Sequence, residues 1–292
     1  MKKIIVDTDL GYDVDDVSAL AVVDILHNQG LAELCAVTHC VSEEKAGDAV
    51  AWINDFYGVE VPIGLAKDRY DANALKKFIQ KIPIPKKGGY PCAVSVLKKV
   101  LSESEDKSII LLCIGQLNNL QALLKDEAGR ALAYKKIQEI VVMGGYFSPY
   151  EDFYEYGGTK WKGEFNIISD LLSAKAVVEC EDLPLSFVDF QQGVDVELDV
   201  DKMDFDKKHP IDIVYRKAGW CKRPSWDIVA SFYACGGFEE IFKISRKGKV
   251  SIDENGKTTF EFGTGAHCLV RLKNNDSRAM QEIIENFFKA NR

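Results

Sequence analysis

The chain lacks an excess of basic residues and lacks any hydrophobic run long enough to cross a membrane. Its formal net charge is −8 at pH 7, so little offsets the repulsion of phosphates, and we expect no nucleic acid as a partner. The three apolar residues that follow Met1-Lys2-Lys3 give way to aspartates too early for a signal peptide. These absences predict a cytoplasmic protein that does not enter a membrane.

Paired cysteines, internal repeats and low-complexity tracts are missing as well. The eight cysteines form no C-x-x-C pair, so neither a zinc site nor a disulfide framework is indicated, and small core residues in a reducing compartment are the better interpretation. At 47% hydrophobic and 28% charged residues, the composition is that of an ordinary globular protein. Because no linker divides the chain, the simplest prediction is a single domain over residues 1–292.

Apolar runs alternate with stretches of helical spacing along most of the chain. Ile109 to Ile114 is fully apolar, and Ile137 to Met143 ends in a similar run, as is typical of buried strands in a parallel sheet. Residues 248–272 alternate around Glu254-Asn255-Gly256, which is a hairpin signal. The pattern predicts an α/β fold with an open, mostly parallel sheet flanked by helices and a C-terminal β-hairpin.

Two segments are predicted to lie at the surface. Residues 66–95 are rich in proline and lysine and contain a glycine pair, which predicts an irregular segment that could border a site. Residues 195–206 are strongly acidic, which predicts a solvated face.

The N-terminus combines a buried strand, a cluster of acids and a helix. Ile4 to Val6 is an apolar run typical of a buried strand, and Val17 to Leu26 has helical length. Five aspartates lie within ten residues between them, at the carboxyl end of the strand, where open α/β sheets place their ligand sites. Asp15 and Asp16 also suit a helix start, but capping does not explain the other three. Carboxylates this crowded share protons or hold a cation, and oxygen ligands favour Ca²⁺ or Mg²⁺.

The acidic segment carries a resemblance to a known family. Asp7 to Gly11 followed by Asp15 to Leu20 resembles the N-terminal signature of the inosine-uridine nucleoside hydrolases, D-x-D-x-G-x-D-D-x-x-A-L. This chain has two extra residues between the glycine and the paired aspartates, so either Asp13 or Asp15 could be the first of the pair. We favour Asp15 with Asp16, because the Ala-Leu of the signature then keeps its spacing.

Four later segments resemble further signatures of the family in the same order. Gly115 to Leu120 resembles G-P-L-T-N-L, and the strand ending in Gly144-Gly145 resembles V-V-M-G-G. Glu164-Phe165-Asn166 resembles the E-F-N segment, and Asp227 resembles the last metal aspartate, which opens a helix. The resemblance therefore covers most of the chain in five ordered segments.

The resemblance implies a nucleoside hydrolase-like fold and calcium-dependent hydrolysis of the N-glycosidic bond of a ribonucleoside or related N-riboside. A small-molecule nucleoside would be the partner, and free base and ribose the products. The implied Ca²⁺ ligands are Asp9, Asp16, Asp227 and the backbone carbonyl of Ile114. Asp9 would also be the general base, with Asp7 behind it and Asn119 bracing the turn. The ribose hydroxyls would be held by Asp15, Glu164 and Asn166, the last two pointing the same way on an extended backbone.

Two departures from the family pattern concern the substrate. Trp226 stands where well-known members have a histidine that helps the base to leave; tryptophan cannot act as a general acid but can stack on a planar base. His39 and Cys40 take the place of a glycine-asparagine pair near the sugar, so His39 is a candidate substrate contact. The donor that protonates the base stays open among His39 and three tyrosines, Tyr146, Tyr154 and Tyr156.

Two other functions are compatible with parts of the sequence. A binding protein that keeps the metal and sugar contacts but lacks catalysis would fit the loss of the histidine at Trp226. A phosphatase of the haloacid dehalogenase type also begins with D-x-D after a strand, but it leaves Glu164 and Asp227 unexplained. The sequence decides neither the preferred base nor whether the chain forms a homo-oligomer.

Overall fold

The computed structural model describes residues 1–67, 79–147 and 154–291, in which an eight-stranded sheet lies at the centre. The strand order is β11-β14-β8-β5-β4-β1-β2-β3, and every neighbouring pair is parallel except β11 and β14. The strands are β1 Lys2–Thr8, β2 Ala32–His39, β3 Ile63–Leu65, β4 Ile109–Cys113, β5 Ile137–Met143, β8 Leu185–Val188, β11 Phe242–Ile244 and β14 Cys268–Leu272. The predicted α/β fold with a mostly parallel sheet is confirmed.

Within the described ranges, three two-stranded sheets lie outside the central one. They pair β6 Tyr154–Tyr156 with β7 Thr159–Trp161, β9 Glu197–Asp199 with β10 Lys222–Pro224, and β12 Gly248–Ile252 with β13 Thr258–Phe262. The third pair confirms the hairpin predicted near the C-terminus. Strand β14 lies at the end of the region with alternating apolar and polar residues. It does not extend the hairpin but joins the central sheet parallel to β8.

Helices connect the strands and cover the sheet. Those that follow the first five central strands are α1 Asp15–Asn28, α2 Glu44–Tyr57, α3 Ala93–Glu103, α4 Asn118–Lys125, α5 Glu127–Lys136, α6 Phe165–Ser169 and α7 Leu171–Val178. The others are α8 Phe190–Gly193, α9 Val200–Met203, α10 Pro210–Ala218, α11 Trp226–Cys235 and α12 Ser277–Ala290, with 3-10 turns at Ile79–Lys81, Glu239–Ile241 and Lys273–Asn275. Among the described residues, no helix combines the length and apolar character needed to cross a membrane.

Both faces of the sheet are buried, because successive strand residues point to opposite sides. Ile4 and Val6 of β1 belong to one hydrophobic cluster and Ile5 to the other. The same alternation divides β4, whose five residues are all buried. Fully apolar sequence is therefore what the central strands require, and it explains why these strands could be predicted from the sequence.

The acidic segment at 195–206 is not the solvated face that we predicted. It forms β9 and α9, and its apolar residues Val196, Leu198, Val200 and Met203 are buried. The acids alternate with these residues and lie on the outer side, so the prediction was wrong for half of the segment. Of the irregular segment predicted at 66–95, residues 68–78 lie outside the described residues.

Candidate active site

A cavity of about 610 Å³ opens at the carboxyl end of the central strands. Residues just after β1 and β4 and the last residue of β5 form its floor: Asp9, Ile114 and Met143. Its other acidic lining residues are Asp13, Asp15, Asp16, Glu164 and Asp227. Its aromatic lining residues are Tyr12, Tyr154, Tyr156, Trp161, Phe165, Phe190, Trp220 and Trp226.

Three carboxylates meet at the bottom of this cavity. Asp15, Asp16 and Asp227 are buried, and each offers an oxygen within 4.8 Å of the others. The backbone N–H of Asp227 donates to Oδ2 of Asp15 at 3.1 Å, which joins the start of α11 to the start of α1. On the other side, the Thr8 hydroxyl donates to Oδ1 of Asp16 at 2.5 Å. A hydrogen bond between two helix starts thus joins residues 212 positions apart.

Asp9 lines the same cavity from the loop after β1. Nε2 of Gln116 donates to its Oδ2 at 2.5 Å. The chain passes so close here that a Cβ on Gly115 would lie 2.8 Å from the Asp9 backbone nitrogen, so only glycine fits. The residue before this glycine is Ile114, whose carbonyl lies at the carboxyl end of β4 and accepts a hydrogen bond from Nδ2 of Asn166 at 3.3 Å.

Burial and mutual repulsion shift the ionisation of these acids. Burial raises the pKa of Asp9 to about 7. Burial also raises the pKa values of Asp15, Asp16 and Asp227 far above the usual range, and neighbouring carboxylates add to the shift. Burial and crowding therefore disfavour full ionisation of the cluster when no cation is bound.

The donor set suits a hard divalent cation. All candidate ligand atoms are oxygens, and Oδ2 of Asp16 is buried without a hydrogen-bond partner among the described residues. An unpaired buried carboxylate oxygen is costly, and a cation such as Ca²⁺ would satisfy it and offset the repulsion. The residues present thus fit a metal ion.

Asp7 lies beneath this cluster rather than in the cavity. Its Oδ1 accepts hydrogen bonds from the Thr38 hydroxyl at 2.6 Å and from Nδ2 of Asn119 at 2.8 Å. Nδ2 of Asn119 also donates to the carbonyl of His39 at 3.0 Å. The bracing predicted for Asn119 is confirmed, since it ties the ends of β1 and β2 to the start of α4.

Glu164 and Asn166 both reach the cavity, but not on an extended backbone. Glu164 caps α6: its carboxylate accepts hydrogen bonds from the backbone N–H groups of Asn166, Ile167 and Gly145 at 3.0 to 3.3 Å. Asn166 lies inside the helix, and its Nδ2 also donates to the carbonyl of Met143 at 3.2 Å. Burial raises the pKa of Glu164 to about 7, and the backbone donors oppose that rise.

The structure does not bring His39 to the cavity. Its side chain is fully buried, with Nε2 at 3.0 Å from the Leu10 carbonyl and Nδ1 accepting from the Val41 N–H. Burial lowers its pKa to about 4, so the ring is neutral. Both ring nitrogens are used inside the protein, and we therefore propose no substrate contact for His39.

Trp226 forms one wall of the cavity. Its Nε1 donates to the Phe190 carbonyl at 3.1 Å, and its ring is stacked on that of Phe190 with centroids 5.4 Å apart. Gly193 makes this packing possible, because a Cβ there would lie 2.4 Å from the Trp226 Cα. The tryptophan is thus held rigidly in the cavity wall.

Arg223, for which no role was predicted from the sequence, lies in a second part of this wall. Arg223 donates to Asp13 from Nε, at 2.9 and 3.1 Å to the two carboxylate oxygens, and from Nη2. Its Nη1 donates to the hydroxyl of Tyr156 at 2.6 Å. Tyr156 belongs to the hairpin of β6 and β7, and residues 148–153, which precede this hairpin, lie outside the described part. The one signal in the sequence was the insertion that contains Asp13.

Comparisons with known proteins concern the family and the fold. Residues 4–287 match the family described as inosine-uridine preferring nucleoside hydrolase. The chain is similar in structure to a nucleoside hydrolase of that description from Bacillus anthracis, with a TM-score of 0.76, 18% identity and 99% of each chain covered. No protein of curated function matches the sequence.

Two further solved structures are similar to the chain. A purine-preferring ribonucleoside hydrolase from Gardnerella vaginalis has a TM-score of 0.76 at 18% identity, over 99% of this chain and 100% of that one. The type III effector protein XopQ, in complex with adenosine diphosphate ribose, has a TM-score of 0.67 at 15% identity, over 99% of this chain and 94% of that one. At these identities the similarity establishes the fold.

Proposed function

Because the chain belongs to the inosine-uridine preferring nucleoside hydrolase family and is a nucleoside N-glycosidase, we propose that it hydrolyses ribonucleosides or related N-ribosides with the help of Ca²⁺. The observation that carries this proposal is the group of three buried carboxylates within 4.8 Å at the bottom of an aromatic-walled cavity. The cavity volume of about 610 Å³ is in the usual range for a small-molecule site. A haloacid dehalogenase-type phosphatase is excluded by the family.

The metal site in this proposal is made of carboxylates and one carbonyl. Asp16, Asp227, Asp9 and the Ile114 carbonyl would hold the ion, and Asp15 faces the same centre. When bound, Ca²⁺ would supply the positive charge that acidifies the attacking water. Asp9 would accept a proton from that water as the general base.

The other polar side chains would hold the sugar. Asp15, Glu164 and Asn166 line the cavity and would bind the ribose hydroxyls, which fixes the sugar relative to the attacking water. Glu164 and Asn166 are themselves fixed by their bonds to backbone groups, so little reorganisation is needed. The sugar would pass through an oxocarbenium-like state, which the surrounding carboxylates stabilise.

The aromatic wall would bind the base. Trp226 is held by its bond to Phe190 and by stacking, so its ring offers a preformed surface for a planar base. We also propose that a free nucleoside is the partner, because the net charge of −8 makes polyanionic partners unfavourable. The enzyme is proposed to act in the cytoplasm.

Calcium binding by single variants tests this proposal. We expect titration calorimetry to detect one Ca²⁺ site in the protein, and Asp16→Asn and Asp227→Asn to weaken binding by at least tenfold, since each removes a charged ligand. Asp24→Asn is the matched control, because Asp24 is also a fully buried aspartate of α1 but does not line the cavity. Equal binding by Asp16→Asn, Asp227→Asn and the control would contradict the proposed metal site.

A further inference from the structure

The cavity has to assist the departure of the base without a histidine. A purine or pyrimidine that leaves as an anion is a poor leaving group, and a proton donor usually assists it. The chain has four histidines, His27, His39, His209 and His267, all within the described residues, and none of them lines the cavity. A proton donor other than histidine would therefore be needed if the proposed hydrolysis takes place.

Tyr156 has the position and the free hydrogen that this task needs. It lines the cavity from β6, and its ring meets the Trp226 ring edge to face at 5.4 Å. Its oxygen accepts the hydrogen bond from Arg223. Among the described residues, nothing accepts a hydrogen bond from the Tyr156 hydroxyl itself. Because Arg223 donates to the Tyr156 oxygen, the hydroxyl hydrogen can be donated to a ligand beside Trp226.

The ion pair of Arg223 and Asp13 holds this hydroxyl in place. Asp13 takes Nε and Nη2 of the guanidinium group, which leaves Nη1 for Tyr156. The Arg223 guanidinium also lies 4.4 Å from the Trp220 ring centroid and 5.1 Å from that of Trp226. An arginine fixed on three sides keeps its positive charge next to the phenol oxygen.

The ionisation of Tyr156 is consistent with a proton donor. Burial raises its pKa, and the Arg223 charge opposes that rise. The phenol is therefore protonated at neutral pH, as a donor has to be. The phenolate that forms after proton transfer would be stabilised by the Arg223 guanidinium at the same oxygen.

We propose that Tyr156, held by the Arg223–Asp13 ion pair, donates the proton to the departing base in place of the family's histidine. This inference rests on the proposed hydrolase function. As the bond between the sugar and the base nitrogen breaks, its electron pair stays with the base. The Tyr156 O–H bond breaks and a bond from that hydrogen to a nitrogen or oxygen of the base forms. The phenolate regains a proton from solvent water after the base has left.

Two substrates with different leaving groups test this role. Inosine needs protonation of its base, whereas p-nitrophenyl riboside releases a stable anion that needs none. We expect Tyr156→Phe to lower kcat for inosine, or for the best nucleoside of a panel, by roughly 100-fold or more and to leave kcat for p-nitrophenyl riboside within about threefold, which also shows that the variant folds. Arg223→Lys should lower only the nucleoside rate, and by a smaller factor than Tyr156→Phe. Lysine keeps the positive charge but cannot contact Asp13 and Tyr156 with separate guanidinium nitrogens.

Tyr233→Phe is the matched control. The Tyr233 hydroxyl donates to Glu139 at 2.7 Å and does not line the cavity, so we expect both rates to be unchanged. A Tyr156→Phe variant that loses the same factor on both substrates, or none on either, would overturn the proposed donor. So would a parent protein that cleaves p-nitrophenyl riboside but no nucleoside. A parent protein that cleaves neither substrate would overturn the proposed function as well.

Discussion

Burial acts in opposite directions on His39 and on the carboxylates of the site. The same loss of water lowers the pKa of His39 to about 4 and raises the pKa of Asp9 to about 7, because in each case the charged form is disfavoured. For the acids a cation can compensate, since they line an open cavity. No ligand can compensate for burying a charged His39, because its ring is enclosed and both ring nitrogens already have hydrogen-bond partners. Its part in the protein is therefore to hold the loop after β1.

A pH-dependent loss of stability should follow from the buried histidine. The unfolded ring takes up a proton below about 6.5 and the folded ring only near 4, so stability is lost as pH falls through that window. Between pH 7 and pH 5 we expect a loss of about 2 kcal/mol from this residue. Urea unfolding of the protein and of His39→Gln at both pH values measures it. If the stability difference between the two proteins is the same at pH 5 as at pH 7, the histidine is not held neutral.

At the scale of single residues, the predictable part of the site was its acids. Asp9, Asp15, Asp16 and Asp227 all reach the cavity, because they follow a buried strand or open a helix and both features are local in sequence. The pairing of Asp13 with Arg223 joins residues 210 positions apart. Nothing in the spacing of the sequence indicates such a contact, so it could be found only in the structure.

Short elements decide how the sugar and base subsites are built. An extended backbone was expected for the E-F-N segment, whereas Glu164 caps a five-residue helix that begins at Phe165. A period of two and the first turn of a helix cannot be told apart over three residues, which is why that prediction failed. The β6–β7 hairpin was missed because its strands have three residues each.

Glu164 should be needed for the structure of α6 as well as for the substrate. Its two oxygens accept from three backbone N–H groups, so Glu164→Gln places an amide against at least one of these donors. We expect Glu164→Gln to lower the free energy of unfolding by about 1–3 kcal/mol. Glu155→Gln, at an exposed position of β6, should change it by less than about 0.5 kcal/mol. Chemical denaturation measures the free energy of unfolding of both variants, and equal values would mean that the Glu164 cap does not stabilise the fold.

On the scale of the whole molecule, the site joins distant parts of the sheet. The cluster brings the start of α1, after the first strand, to the start of α11, more than 200 residues later. The order of buried strands and helices made the fold class predictable, because apolar periodicity reports burial directly. We propose that the chain folds as one domain, since both hydrophobic clusters are built on the same sheet. The order of the strands follows from long-range pairing, which periodicity does not report.

Calcium should therefore stabilise the entire fold. A ligand that binds only the folded state at 100 times its Kd adds about 2.7 kcal/mol, which corresponds to a rise in Tm of roughly 4–5 °C for a chain of 292 residues. Thermal unfolding with Ca²⁺ and with chelator measures the difference. Asp16→Asn should lose the calcium-dependent rise, whereas Asp24→Asn should keep it. The absence of any rise in the parent protein at saturating Ca²⁺ would argue that the cluster does not bind the ion.

The release of reducing sugar from a panel of purine and pyrimidine ribonucleosides, with Ca²⁺ and with chelator, tests the central claim most directly. We predict release that chelator abolishes, that returns when Ca²⁺ is added back, and that Asp9→Ala eliminates while Asp24→Asn does not. The panel would also show which base is preferred. If Ca²⁺ binds but no nucleoside yields sugar, calcium-dependent nucleoside hydrolysis is contradicted, and a nucleoside-binding role becomes the better account of the site.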